Sequence, residues 1–196
     1  MSMTEEALKH ATDTKACVIG ENVLDQVPGL LKTHFPGAKR GVVVVDPRTW
    51  KAAGEQVAAL LKAAGLAVSQ YVFEPDGRTF HADYHYAAEL REHLKSVIGG
   101  VDDLVPVAVG SGVVNDLTKL ASGELGIPYL VCATAASVDG YSSFGASIRS
   151  PEGAKQTYAC PAPRVIVADL VVMRTAPKWM AASGFADLLA KVPAGA

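Results

Sequence analysis

Residues 41–46 read GVVVVD, four consecutive valines with no polar residue among them. A strand with one face in water alternates apolar and polar side chains, because successive Cβ atoms point to opposite faces. Unbroken valine requires burial on both faces, as in the middle of a parallel sheet covered by helices on each side. LVPVAVG at 104–110 makes the same demand. ACVIG (16–20), LAVSQYVF (66–73) and IPYLVCAT (127–134) read as further strands, and RVIVADLVVM (164–173) as one more extended segment. Between them lie stretches of helical spacing: 21–35, 50–64, 82–98 and a pattern opening at Asn115 and Asp116. Pro28 is expected to interrupt or kink the first of these, and Gly65 to stop the second. Strands alternating with helices predict an α/β fold, a Rossmann-like parallel sheet with flanking helices. Residues 134–164, with Pro151, Pro161 and Pro163, show little periodicity. KWMAASGFADLLAKV (178–192) is expected to begin a separate helical region.

Composition narrows the function. Hydrophobic residues are 49% and charged residues 19% of 196, enough apolar content for one sizeable core. The net charge of −2 and the absence of a Lys/Arg run give no reason to expect a nucleic-acid or membrane partner. No apolar stretch approaches the roughly 20 residues of a membrane span, and the acidic N-terminus MSMTEEALKH does not resemble a signal peptide. Cys17, Cys132 and Cys160 are odd in number and sit in or beside apolar runs, which suggests free thiols and a cytoplasmic location.

Three constellations could carry chemistry. The first is VGSGVVND (109–116), where Gly110 and Gly112 lie between a strand and a helix. A helix N-terminus presents free N–H groups and partial positive charge, and glycine admits an anion close to the backbone. The alternative is a tight β-to-α turn that binds nothing. It is neither the G-x-G-x-x-G fingerprint nor a P-loop, since Asn115 holds the third glycine position and no Lys-Ser/Thr pair follows. The second is Asp46, which ends the GVVVVD strand: it either accepts ribose hydroxyls, favouring NAD over NADP, or caps the turn before Pro47. The third is CATAASVDGYSSFGASI (132–148), where small hydroxyl residues surround Asp139 directly after a strand. In open α/β sheets ligands bind at such strand ends. His81 and His85, spaced i,i+4, would share one helix face as a metal pair, although a solvated helix edge is the expected reading.

VGSGVVNDLTKLAS, GIPYLVCATAASVDGYSSFGASI and SGFADLLAKV together resemble the sn-glycerol-1-phosphate dehydrogenases. These belong with the iron-containing alcohol dehydrogenases, glycerol dehydrogenases and dehydroquinate synthases. The resemblance runs from residue 15 to 192 and implies the nucleotide-binding domain of the dehydroquinate synthase-like fold. It implies an NAD-binding domain over 1–176, with 177–196 starting a helical metal-binding domain that is otherwise missing. Gly110, Gly112, Val113, Val114, Asn115 and Asp116 would hold the pyrophosphate of NAD(H) or NADP(H), with Asp46 near the adenine ribose. Thr134, Ser137 and Ser143 would line the nucleotide. Asp139 would contact substrate as a catalytic residue. Asp187 would be both catalytic and a ligand of a divalent metal (zinc, nickel or iron by member). The implied reaction interconverts dihydroxyacetone phosphate and sn-glycerol 1-phosphate, a step of phospholipid metabolism. Other polyol or alcohol substrates are one alternative and a non-catalytic nucleotide-binding module is another; a homo-oligomer is a further expectation. Family members draw further metal-binding histidines from their second domain, whereas the last histidine here is His93. The expectation is therefore dinucleotide binding without turnover by these residues alone.

Overall fold

The computed structural model describes residues 3–75, 79–100 and 102–195. In chain order the elements are α1 (Met3–Leu8), β1 (Ala16–Gly20), a 3₁₀ turn (Val23–Gln26), α2 (Val27–His34) and β2 (Arg40–Val45). Then come α3 (Pro47–Thr49), a π-helical segment (Trp50–Gly54), α4 (Glu55–Ala63), β3 (Ala67–Val72), α5 (Tyr84–Val97) and β4 (Leu104–Gly110). After α6 (Gly112–Glu124), β5 (Leu130–Ala133) and a 3₁₀ turn (Gly140–Ser142) the chain forms β6 (Ala146–Arg149), β7 (Lys155–Tyr158), β8 (Val165–Asp169), α7 (Leu170–Met173) and α8 (Lys178–Ala194).

Six strands form one sheet in the order β1-β8-β5-β4-β2-β3, and every pairing is parallel. The four valines of β2 divide between the faces as the sequence demands. Val43 and Val45 pack with Leu31, Val57 and Leu61 from α2 and α4. Val42 and Val44 pack with Leu90, Leu94, Leu117 and Leu120 from α5 and α6. All four are essentially fully buried, each contributing roughly 1.5–3 kcal/mol.

The topology creates one crevice. From β2 the chain moves outward to β3 through α4 on the first face. From β4 it moves the opposite way to β5 through α6 on the second face. At the carboxyl ends of β2 and β4, which pair side by side, the connections part to opposite sides of the sheet. Such a switch point is where open α/β sheets place ligands.

Several local expectations need correction. Pro28 stands in the first turn of α2, where its missing N–H costs nothing, so it starts the helix instead of kinking it. The helix after β4 begins at Gly112, three residues before Asn115. The segment 164–173 is extended only to Asp169, after which Leu170–Met173 turn into α7. The aperiodic region contains an antiparallel hairpin, β6 with β7, whose Ala146 and Ile148 join the second core. His81 lies ahead of α5, so it and His85 do not share a helix face. Gly65 does end its helical stretch, at φ 89°.

The last helix is different in kind. No residue of α8 is buried, and Trp179, Phe185 and Val192 are 67%, 63% and 72% exposed. Ala196, the final residue of the region expected to be separate, lies outside the described residues. Among the described residues no helix is long and apolar enough to cross a membrane.

Candidate functional site

The site begins with amides that the fold leaves unused. The first i→i−4 bond of α6 runs from Asn115 N to Ser111 O at 3.0 Å. The N–H groups of Gly112, Val113 and Val114 therefore precede the helical ladder. Ser111, the N-cap, is extended and its side chain caps none of them. Three amides and the positive end of a 13-residue helix thus sit at the end of β4, beside the switch point. Gly110 is needed here sterically, whereas Gly112 is in close but yielding contact. A Cβ on Gly110 would fall 2.5 Å from Val114 Cβ, and one on Gly112 would fall 3.1 Å from the Val138 methyls.

Across the crevice, Asp46 accepts from the amides of Arg48 (2.7 Å) and Thr49 (3.0 Å), both through Oδ1. Its own amide donates to Thr49 Oγ1 at 3.0 Å, completing a reciprocal cap on α3. The capping reading of Asp46 is thus realised, and it engages one of the two carboxylate oxygens.

Asn115 and Asp116 turn away from the loop. Asn115 is 1% exposed and its Oδ1 accepts from Tyr129 OH at 3.0 Å. Asp116 accepts the Ser147 amide at 3.3 Å and faces Lys119 Nζ at 3.8 Å. Burial raises the Asp116 pKa above its usual value and lowers that of Lys119, each opposed by the other's charge. These side chains join α6 to Tyr129, just ahead of β5, and to the hairpin, and the groups left free in this stretch are the backbone amides.

The loop after β5 covers the third side. Thr134 is buried, and its amide donates to Gly110 O at 3.1 Å, which ties this loop to the glycine turn. Tyr141 OH donates to Ala135 O at 2.8 Å and interacts with the Ser137 hydroxyl. Ser143 is exposed, its Oγ donating to Gly140 O at 2.8 Å. Helix α8 crosses this loop at Gly184: a Cβ there would overlap Ala136 O. The crossing brings Asp187 to the Asp139 amide, which donates to Asp187 Oδ2 at 3.1 Å and holds that carboxyl below its usual pKa. Lys191 Nζ stands 3.6 Å from Asp139 Oδ2. Asp139 and Asp187, far apart in sequence, are thus neighbours.

Two carboxylates and an ammonium do not make a metal centre. Among the described residues no three His, Cys, Asp or Glu side chains gather to hold an ion, and three protein ligands are the usual minimum. The described residues therefore do not fit a complete metal site. Thiolate chemistry is also disfavoured, because burial pushes Cys132 up to about 12 and Cys160 up to about 11.

Sequence reasoning missed Lys119 and Asp169. Lys119 is wholly buried and donates to the carbonyls of Gly140 (3.1 Å), Ser143 (3.0 Å) and Gly145 (3.1 Å). Its spacing of three from Asp116 was the available signal. Asp169 is a buried helix cap at the end of β8, a role visible in an acid that ends the strand VIVAD before an apolar run.

Comparison with known proteins identifies the family. A profile of the iron-containing alcohol dehydrogenases matches residues 18–177. Glycerol-1-phosphate dehydrogenase [NAD(P)+] of Halalkalibacterium halodurans is 37% identical over 175 residues, 88% of this chain and 42% of that protein. Its counterpart in Pyrococcus horikoshii is 32% identical over 180 residues, 90% of this chain and 47% of that one. The chain thus spans less than half the length of these relatives. Glycerol dehydrogenase from Schizosaccharomyces pombe superposes with a TM-score of 0.75 at 25% identity, over 91% of this chain and 43% of that one. A 2-deoxy-scyllo-inosose synthase solved with NAD+ and Co2+ shares the fold, with a TM-score of 0.69 at 19% identity, over 82% of this chain and 43% of that one. The profile covers most of the chain, including both sides of the crevice, and the chain belongs to the iron-containing alcohol dehydrogenase family.

Proposed function

We propose that residues 1–176 form the cofactor-binding domain of an NAD(P)-dependent dehydrogenase of the glycerol-1-phosphate dehydrogenase type, with 177–196 opening a helical second domain. The observation that carries this reading is the set of three free amides at the start of α6, beside the switch point. The dinucleotide would lie across the carboxyl ends of β2, β4 and β5, which adjoin in that order. Its adenosine half would rest near Asp46, and its pyrophosphate on Gly112, Val113 and Val114 beside Gly110. Asn115 and Asp116 would brace that turn from inside. The nicotinamide half would meet Thr134, Ser137 and Ser143. Asp139 would face a small polyol phosphate, and Asp187 would supply one carboxylate to a divalent metal whose other ligands lie outside these residues. The substrate pair is dihydroxyacetone phosphate and sn-glycerol 1-phosphate, in keeping with the relatives' names. A cytoplasmic location and homo-oligomerisation belong to the same reading.

Calorimetric titration tests it. NAD+ should bind the 196-residue chain in the micromolar range, while dihydroxyacetone phosphate with NADH should give no measurable turnover. Absence of binding by either dinucleotide at millimolar concentration would refute the assignment, and enzyme-like turnover would refute the incomplete site.

Asp46→Ser separates the two jobs of that residue. Serine caps a helix about as well as aspartate, so stability should change by less than about 1 kcal/mol. A carboxylate near the ribose repels a 2′-phosphate. The ratio of NAD+ to NADP+ affinity should therefore fall about fivefold, about 1 kcal/mol. An unchanged ratio would leave Asp46 as a cap alone.

A further inference from the structure

The turn at 140–145 has little to hold it from outside. Ser142, Ser143 and Phe144 are exposed, and Phe144 is 66% accessible. From within, Tyr141 OH ties it to Ala135 O and the Gly145 amide ties it to Cys160 O, and one further side chain gathers three of its carbonyls. Lys119 rises from the middle of α6, buried along its whole length, and its ammonium meets the carbonyl oxygens of Gly140, Ser143 and Gly145. Ser143 Oγ lies 3.5 Å from the same nitrogen, and the Asp116 carboxylate lies 3.8 Å away. An ammonium has three donors, and three carbonyls of one turn take them. The arrangement costs desolvation of a charge, offset here by Asp116 and by full hydrogen bonding. An apolar residue would fill this space without that cost, but it would take this donor from the carbonyls of Ser143 and Gly145, while Gly140 O would keep the Ser143 hydroxyl.

Resting on the proposed dinucleotide site, we infer that Lys119 is a positioning residue: it fixes the 140–145 turn and thereby sets affinity for the nicotinamide half of the cofactor, while the ADP half binds without it. The division follows from placement. The free amides of Gly112 to Val114 begin the same helix but lie about one and a half to two turns before Lys119, and Asp46 lies on the other side of the crevice. The three carbonyls that Lys119 holds all belong to the turn that carries Ser143.

The test compares two ligands on the intact chain. Lys119→Met keeps the aliphatic stem and removes the donors. NAD+ affinity should fall about tenfold and ADP affinity should stay within twofold. In the unmodified protein, NAD+ should slow hydrogen exchange at the amides of Ser143 and Gly145, which donate to Gly140 O and Cys160 O, and ADP should not. Equal weakening of both ligands in Lys119→Met would overturn the inference, as would no weakening of either. Should the variant fail to fold, the exchange comparison decides: the same response to NAD+ and ADP at these amides would sink the idea. Failure of the unmodified protein to bind either ligand would instead refute the dinucleotide site itself, and this inference with it.

Discussion

Gly112→Asp is expected to weaken NAD+ binding at least about a hundredfold, about 2.8 kcal/mol, and to leave the fold in place. The new carboxylate would start at the first residue of α6, where the unpaired amides and the helix dipole attract negative charge. It would take those amides itself and repel the incoming pyrophosphate. The same attraction protects folding, because an acid in the first helical turn is favourable by about 0.3–1 kcal/mol. The added Cβ would stand 3.1 Å from Val138, so that side chain must yield by a few tenths of an ångström. Thermal unfolding should shift by no more than about 3 °C. Position 110 is a poorer probe, since a Cβ there would stand 2.5 Å from Val114 Cβ and disturb the first turn of α6. An NAD+ affinity within threefold of the unmodified protein would show that the pyrophosphate does not sit on these amides.

How far the sequence foretold this arrangement depends on what each residue's neighbours are. The parallel sheet was legible because Val42 to Val45 and Leu104 to Gly110 are buried on every residue, and uninterrupted apolar runs carry that message directly. The hairpin was not, because Lys155, Gln156 and Thr157 are exposed, and Ala146 and Ile148 are buried in the core with Tyr158 packed at its edge. Two apolar residues in a stretch of serines make no pattern. That Asp46, Gly110, Gly112 and the 134–143 loop lie together was legible because they follow strands, and strand ends converge at one edge of a parallel sheet. Asn115 and Asp116 were placed on the pyrophosphate by the family resemblance; with the helix starting at Gly112, their side chains reach Tyr129 and the Ser147 amide instead. The spacing of three from Asp116 hinted at a pair for Lys119 but could not show its burial, since lysine is an ordinary helix surface residue by type. Its burial depends on the turn 140–145 folding over it, a contact more than 20 residues away in sequence. The meeting of Asp139 with Asp187 depends likewise on Gly184 admitting the crossing of α8 over Ala136.

Asp169→Asn should lower stability by about 3 kcal/mol at neutral pH, reducing the unfolding midpoint by about 6–12 °C. The carboxylate is 3% exposed and accepts from the amides of Asn22 (3.2 Å) and Val171 (2.9 Å) at Oδ1 and of Leu24 (3.2 Å) at Oδ2, with the Val172 amide also facing it. It thereby caps α7 and also fixes the turn after β1, where Asn22 stands in the left-handed region at φ 56°. Asparagine keeps one acceptor oxygen and turns an NH2 toward the remaining donors, so buried amides lose their partner. The pH dependence distinguishes this from a simple loss of packing. Burial by itself would raise the Asp169 pKa, but the amides of Leu24, Val171, Asn22 and Val172 outweigh it, and the net direction is downward from 3.8. Because the folded pKa lies below the unfolded one, the unfolded chain takes up the proton first as the solution is acidified. The stabilisation is therefore fully present well above pH 3.8 and is lost as pH falls through and below that value. Denaturant titrations of both proteins from pH 7 to pH 3 should show their stabilities converging at the acid end. A difference that stays constant across that range would mean the carboxylate charge contributes nothing, and that Asp169 serves the end of β8 by its shape alone.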